Sequence, residues 1–197
     1  MKILHLITPL ILGGAQENTV LTCRYHAEQG HDVHLAYGPI YGPEGSLAEQ
    51  ARPYAITHHE LSHLRRDLHP MHDLLAYRQI RRLIRTLKPD VVHSHSSKAG
   101  ILTRFAAHAS GHRAIVHTIH GLPFHPYQSR PAYRLYARLE RAAARRCHRI
   151  ITVADAMSRQ AMDAGVGRAE QYVTIYSGMD TGAYHPNAQA RRAMRQS

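Results

Sequence analysis

Seven short apolar runs punctuate the chain, and most neighbouring runs are separated by a stretch long enough for a helix. They fall at residues 3–8, 33–37, 56–61, 91–95, 114–120, 149–154 and 172–176. Near-continuous apolar strands are covered on both faces, and strands that alternate with helices join in parallel. The pattern predicts an α/β fold: a Rossmann-like, open, mostly parallel sheet of about seven strands with helices on both faces. At 197 residues the chain has room for one well-buried domain and not for two of full size. No internal repeat or low-complexity tract interrupts the pattern.

The clearest helix lies over residues 72–88, HDLLAYRQIRRLIRTLK. Tyr77, Ile80, Leu83, Ile84 and Leu87 share one stripe, and Arg78, Arg81, Arg82 and Arg85 share the other. Pro70 precedes it and Pro89 stops it. A second helix is expected over 131–148, with Arg134, Arg138, Arg141 and Arg145 opposite Leu135, Leu139 and Ala142. Two basic stripes suit either the solvated outer faces of sheet-covering helices or contact with anionic lipid.

The net charge of +11 favours anionic partners: nucleic acid, acidic headgroups or phosphorylated small molecules. Nucleic acid is not expected, because no recognition motif accompanies the charge and Phe105 and Phe124 are the only phenylalanines. The two cysteines, Cys23 and Cys147, are far apart and form no C-x-x-C, so they read as buried thiols of a reducing compartment. The opening MKILHLITPLILGGA superficially resembles a signal peptide, but His5 and Pro9 break its apolar run, and it reads better as a first strand. No run approaches the ~18 apolar residues of a membrane span.

In an open parallel sheet, ligands bind outside the carboxyl ends of the strands. Three loops there carry candidate chemistry. The first, residues 9–14, ends in the pair Gly13–Gly14 just before a helix, where free N–H groups and the positive dipole end suit a phosphate or diphosphate. Such a pair serves tight packing as readily. The second is HSHSSKAG, residues 93–100. Ser96 and Ser97 can cap the next helix. Lys98 enters its first turn, where a cation opposes the dipole unless an anion lies nearby. In the third, HTIHGLPFHP, His120 and Gly121 stand where strand becomes loop; a neutral imidazole there can bond a hydroxyl-rich ligand or simply be a satisfied structural histidine. Eighteen histidines raise the question of a metal, and His93/His95 and His117/His120 can meet across neighbouring strands. Acidic co-ligands are sparse, however, and H-E-x-x-H and Asp-x-Asp are missing, so no metal site is expected. A G-x-S-x-G nucleophile elbow is also missing.

Six stretches in order resemble the amino-terminal half of a family 4 glycosyltransferase of GT-B architecture. They are GGAQ (13–16), LRRDLHP (64–70), KPDVVHSHSSKAG (88–100), VHTIHG (116–121), CHRIITVAD (147–155) and YSGMD…YHP (176–186). The resemblance implies two Rossmann-like domains facing across a cleft. Residues 1–186 would form the amino-terminal, acceptor-side domain, and 187–197 the start of an interdomain segment. The donor-binding domain, with its Glu-x7-Glu, is not represented, since no two glutamates here lie eight residues apart.

Residue by residue, the resemblance implies that Gly14 gives its N–H to the donor diphosphate and that Gly13 permits the turn. It gives Gln16, Ser97 and Lys98 to the acceptor, with Lys98 suited to an anionic one. His120 would bond the transferred sugar near its reacting centre, as the catalytic residue, and Asp180 would lie in the hinge to the second domain. The reaction implied is retaining, metal-independent transfer of a sugar from a nucleotide-sugar co-substrate, with no other cofactor, to a glycan or lipid-linked acceptor. Its setting would be cell-surface polysaccharide or glycolipid synthesis, in the cytoplasm or at the inner membrane face. The alternative reading is a non-catalytic basic module that binds a phosphosugar or anionic membrane.

Overall fold

The computed structural model describes residues 1–40, 45–183 and 187–196. Seven strands form one parallel sheet: β1 (Lys2–Ile7), β2 (Asp32–Tyr37), β3 (Ile56–Glu60), β4 (Val91–His95), β5 (Ile115–Ile119), β6 (Arg149–Thr152) and β7 (Tyr172–Thr174). The expected runs match these strands to within one or two residues at each end. Their order across the sheet is β3-β2-β1-β4-β5-β6-β7, and every pairing is parallel. Strand order reverses between β1 and β4, so the crevice for a ligand opens at their carboxyl ends.

The connecting helices are α1 (Gly14–Glu28), the short α2 (Ala48–Ala51), α3 (Pro70–Leu87), α4 (Ser97–Ala109), α5 (Arg130–Ala144), α6 (Asp155–Asp163) and α7 (Ala188–Gln196). Helix α3 starts with Pro70, its fixed φ preorganised for a first turn, and its cap is the ring of His69, which accepts from the His72 N–H. It ends where Lys88 turns left-handed at φ 47° ahead of Pro89. Ile80 and Ile84 are buried and Arg78, Arg81, Arg82 and Arg85 exposed, as the stripe predicts.

Helix α5 departs from its predicted pattern. Its buried face is Ala137, Glu140, Ala143 and Ala144, while Leu135 is 52% exposed. The cause is Arg104 of α4. Its guanidinium is wholly buried, donates from Nη2 to Glu140 Oε2 at 2.7 Å, and requires the carboxylate inside. Leu135, Leu139 and Ala142 are thereby turned outward beside Arg134 and Arg138, around a shallow surface cleft. Arg141 points elsewhere and donates to the carbonyl of Ala164 at 2.6 Å.

Alternation along the strands gives the sheet two distinct faces. Leu4, Leu6, Val92, Ile115 and Ile150 pack with Ile80, Ile84, Ala99, Ala106 and Ala107 of α3 and α4. On the other face Ile7, Val33 and Leu35 pack with Val20 and Cys23 of α1. Cys23 and Cys147 are buried free thiols, and burial pushes the Cys147 thiol up to about 11. The expected domain boundary at Pro186, and the YHP of the last motif, lie outside the described residues. The segment after it is the helix α7, exposed wherever its side chains are described. Among the described residues no helix is long and apolar enough to cross a membrane.

Candidate functional site

Three loops converge at the carboxyl ends of β1, β4 and β5. Gly13 and Gly14 stand exposed at the start of α1. Gly13 has φ 177° and ψ 154°, extended backbone open to any residue, so its missing side chain supplies room rather than conformation. A Cβ there would crowd Gln16 Oε1 at 2.7 Å, whereas one on Gly14 would meet nothing within 4 Å. The space before the helix is therefore clear, and the first N–H groups of α1 face it without intrahelical partners. Gln16 ties the loop together: its Nε2 donates to the Pro9 carbonyl at 3.2 Å.

The loop after β4 is joined to the first. Ser96 occupies the N-cap position of α4 at φ 58°, a strained geometry for serine that costs about 1–3 kcal/mol. Its hydroxyl does not cap the helix, contrary to the sequence expectation; it accepts the Thr8 N–H at 3.2 Å and so binds the β4 loop to the β1 loop. Lys98 is only 12% exposed. The protein itself supplies the anion expected near it: Nζ lies 2.5 Å from Asp73 Oδ1 of α3 and donates to the carbonyl of Asp67.

Two adjoining cavities share Ser96, Ser97 and Pro123. One, of about 310 Å³, is lined by Ala15, His120, Gly121, Phe124 and Glu140. The other, of about 500 Å³, is lined by Arg66, Leu68, Lys98, Ile101, Tyr136 and Leu139. The structure thus brings His120, Ser97 and Lys98 around one recess, with Ala15 reaching it from the turn after Gly14. Gln16 lines neither cavity.

His120 is the outer end of a row of four imidazoles. Its Nε2 lies 3.1 Å from His95 Nδ1; His95 Nε2 lies 3.0 Å from His5 Nδ1; His5 Nε2 lies 3.1 Å from His26 Nδ1. Each contact needs one N–H and one bare nitrogen, and each neutral ring has one of each, so the donors all point the same way along the row. Burial holds His120 down to about 4 and pushes His5 and His95 well below the usual imidazole range, so these rings are neutral near pH 7. His93, held down to about 3 by burial and its histidine neighbours, packs against His95 with the rings tilted and bonds Thr118 Oγ1 at 2.7 Å.

Of the pairings expected between His93/His95 and His117/His120, one forms, between His95 and His120. His117 points to the opposite face, where Nδ1 lies 3.0 Å from the Ser94 hydroxyl and the ring packs on Gly100. His5 and His26 were not among the candidates. The signal for His5 is register: it pairs directly with His93, which shows only once β1 is known to lie beside β4. Asp180, expected in a hinge, is ion-paired with Arg24 of α1 at 3.5 Å.

A doubly wound parallel sheet with a glycine-led helix start, an anchored lysine and a neutral histidine around one crevice is a Rossmann-like α/β unit. The chain belongs to glycosyltransferase family 4, whose model, Glycosyltransferase Family 4, matches residues 12–183. It is similar to the UDP-Gal:alpha-D-GlcNAc-diphosphoundecaprenol alpha-1,3-galactosyltransferase of Escherichia coli, at 29% identity over 154 residues, 77% of this chain and 38% of that protein. In fold it resembles Anabaena HepE, solved in complex with UDP and glucose, with a TM-score of 0.74, 19% identity, and coverage of 100% of this chain and 50% of that one. It also resembles Acinetobacter baumannii MurG, with a TM-score of 0.59, 13% identity, and coverage of 96% and 47%. The chain spans about half the length of these solved structures and less of the Escherichia coli enzyme.

Proposed function

We propose that residues 1–186 form the acceptor-side domain of a retaining hexosyltransferase, whose donor nucleotide is held mainly by a second unit. The single observation that carries this reading is the recess itself, where a neutral His120 faces the same space as Ser97, beside Lys98 and the clear start of α1. Gly14 and its neighbouring amides meet one side of the donor diphosphate, which needs no metal because helix-end dipoles and basic groups balance the charge on the leaving group. His120 bonds the sugar being transferred, and its bond to His95 fixes the ring. The 500 Å³ cavity takes the acceptor, with Lys98 and Arg66 near its charged part and Ile101, Tyr136 and Leu139 along an apolar part. Basic and apolar lining together suit a lipid-linked diphosphate sugar, the type of acceptor named for the Escherichia coli relative. Gln16 reaches the acceptor only after releasing the Pro9 carbonyl.

Such an acceptor lies at a membrane, and α5 offers a matching surface in Arg134, Leu135, Arg138 and Leu139. The proposed location is the inner membrane face, in cell-surface polysaccharide or glycolipid synthesis. Sedimentation with vesicles should show binding that rises with acidic lipid, falls with salt and is lost in the double variant Arg134→Glu, Arg138→Glu. Binding indifferent to all three would remove the membrane component.

In the enzyme with both halves present, His120→Ala should lower turnover by about two orders of magnitude, as loss of a transition-state hydrogen bond does. An unchanged rate would end the role of His120.

A further inference from the structure

On the face of the sheet toward α1, His5, His93 and His95 each bring one ring nitrogen to within 4.8 Å of the others, and all three side chains are buried. We propose that they form a tri-histidine site for a divalent transition metal of the zinc class, apart from the metal-independent transfer.

The arrangement of nitrogens supports this in three ways. First, His5 Nδ1 and His95 Nε2 face each other at 3.0 Å. Two nitrogens bound at ~2.0–2.1 Å to one tetrahedral zinc stand about 3.3 Å apart, so a small opening of the pair admits the ion. Second, His93 uses Nε2 on Thr118 and makes no hydrogen bond through Nδ1 among the described residues. That leaves Nδ1 available to a metal, on a side chain that lines the cavity beside α1. Third, every outward nitrogen already has its acceptor. His5 Nε2 faces His26 Nδ1, His95 Nδ1 faces His120 Nε2, and His93 Nε2 faces Thr118 Oγ1, at 3.1, 3.1 and 2.7 Å. Metal-bound imidazoles carry their proton on the distal nitrogen and donate it to such a shell, which fixes the rings.

Three uncharged imidazoles select among metals. Magnesium, calcium and manganese want oxygen ligands, while zinc, cobalt, nickel and copper accept imidazole. Three ligands leave a fourth position open. His93 and His95 also line a cavity of about 640 Å³ between α1 and the Ile175–Asp180 segment, large enough to admit water to that position. No acidic residue takes part in this group, which is why the scarcity of acidic co-ligands in the sequence hides it. With metal bound, His95 donates from Nδ1 to His120 Nε2, so His120 carries its proton on Nδ1. That consequence matters for transfer only if the role proposed for His120 holds, whereas metal binding does not depend on it.

The test uses the untagged chain, stripped with a chelator and titrated with zinc chloride in a calorimeter. One ion per chain should bind with a dissociation constant below about 1 μM. X-ray absorption should show a first shell of nitrogens at ~2.0–2.1 Å. His93→Gln should weaken binding at least ~100-fold. Thr118→Val, which keeps all three ligands, should weaken it by ~10–100-fold through the lost outer partner. His59→Gln, in the separate His34–His59 pair, should leave it unchanged. Circular dichroism checks that each variant folds, and Thr118→Val carries the test should His93→Gln fail to fold. Absence of any saturable site tighter than ~100 μM, or tight binding that survives both His93→Gln and Thr118→Val, would overturn the proposal.

Discussion

The two faces of the central sheet are made by the same strands yet carry different contents. Toward α3, α4 and α5 the strands present leucine, isoleucine and valine, with a few polar groups among them. His117 bonds Ser94, and Arg104 pairs with Glu140. Toward α1, the middle of the sheet is paved with imidazoles that pass hydrogen bonds along a row. That row ends at half-buried His26 beside one cavity and at His120 beside another. Burying polar groups costs stability unless each finds a partner. The first face is mostly apolar and pairs Arg104 with Glu140 inside, leaving Arg104 Nη1 and Glu140 Oε1 without a further hydrogen-bond partner among the described residues. The second passes its hydrogen bonds out to the edges of two cavities.

Changes on the two faces should therefore fail in different ways. The largest effect belongs to Arg104→Ala, which leaves Glu140 charged, buried and unpaired. It should cost about 3–5 kcal/mol in urea denaturation. A loss below ~1 kcal/mol would mean that this face does not depend on the pair. Gly14→Ala should act in the opposite sense. The added methyl meets no protein atom, so stability should hold or rise by ~0.4–1 kcal/mol, as glycine replacement in compatible backbone does. In the complete enzyme kcat/KM should fall at least about tenfold, because the methyl stands where the diphosphate is proposed to approach. Unchanged kinetics would return the glycine pair to a packing role.

The strands were legible from sequence because parallel strands buried on both faces read as unbroken apolar runs. Helix α3 was legible because its apolar stripe meets the core directly. Helix α5 was not, because burial of Glu140 opposite Arg104 inverts the rule that charge faces outward; α4 supplies the reason, and local pattern cannot see it. The site was half legible. Loop positions at strand ends pointed to Gly13, Gly14, Ser97, Lys98 and His120. What each does locally depends on distant partners: Asp73 reaches Lys98 from α3, Thr8 takes the Ser96 hydroxyl from its helix, and His5 extends the histidine row from β1. These contacts follow from strand order, which periodicity along a single chain does not encode.

In the proposed function this chain reads the acceptor while another unit holds most of the donor. Calorimetric titration of the chain with a short-chain lipid-linked diphosphate sugar, and separately with UDP-glucose, tests it most directly. The account predicts that the acceptor analogue binds more tightly than UDP-glucose and that Lys98→Ala weakens it about tenfold, the loss of one partly buried charge contact. Tighter binding of UDP-glucose, with the acceptor analogue indifferent to Lys98→Ala, would contradict it.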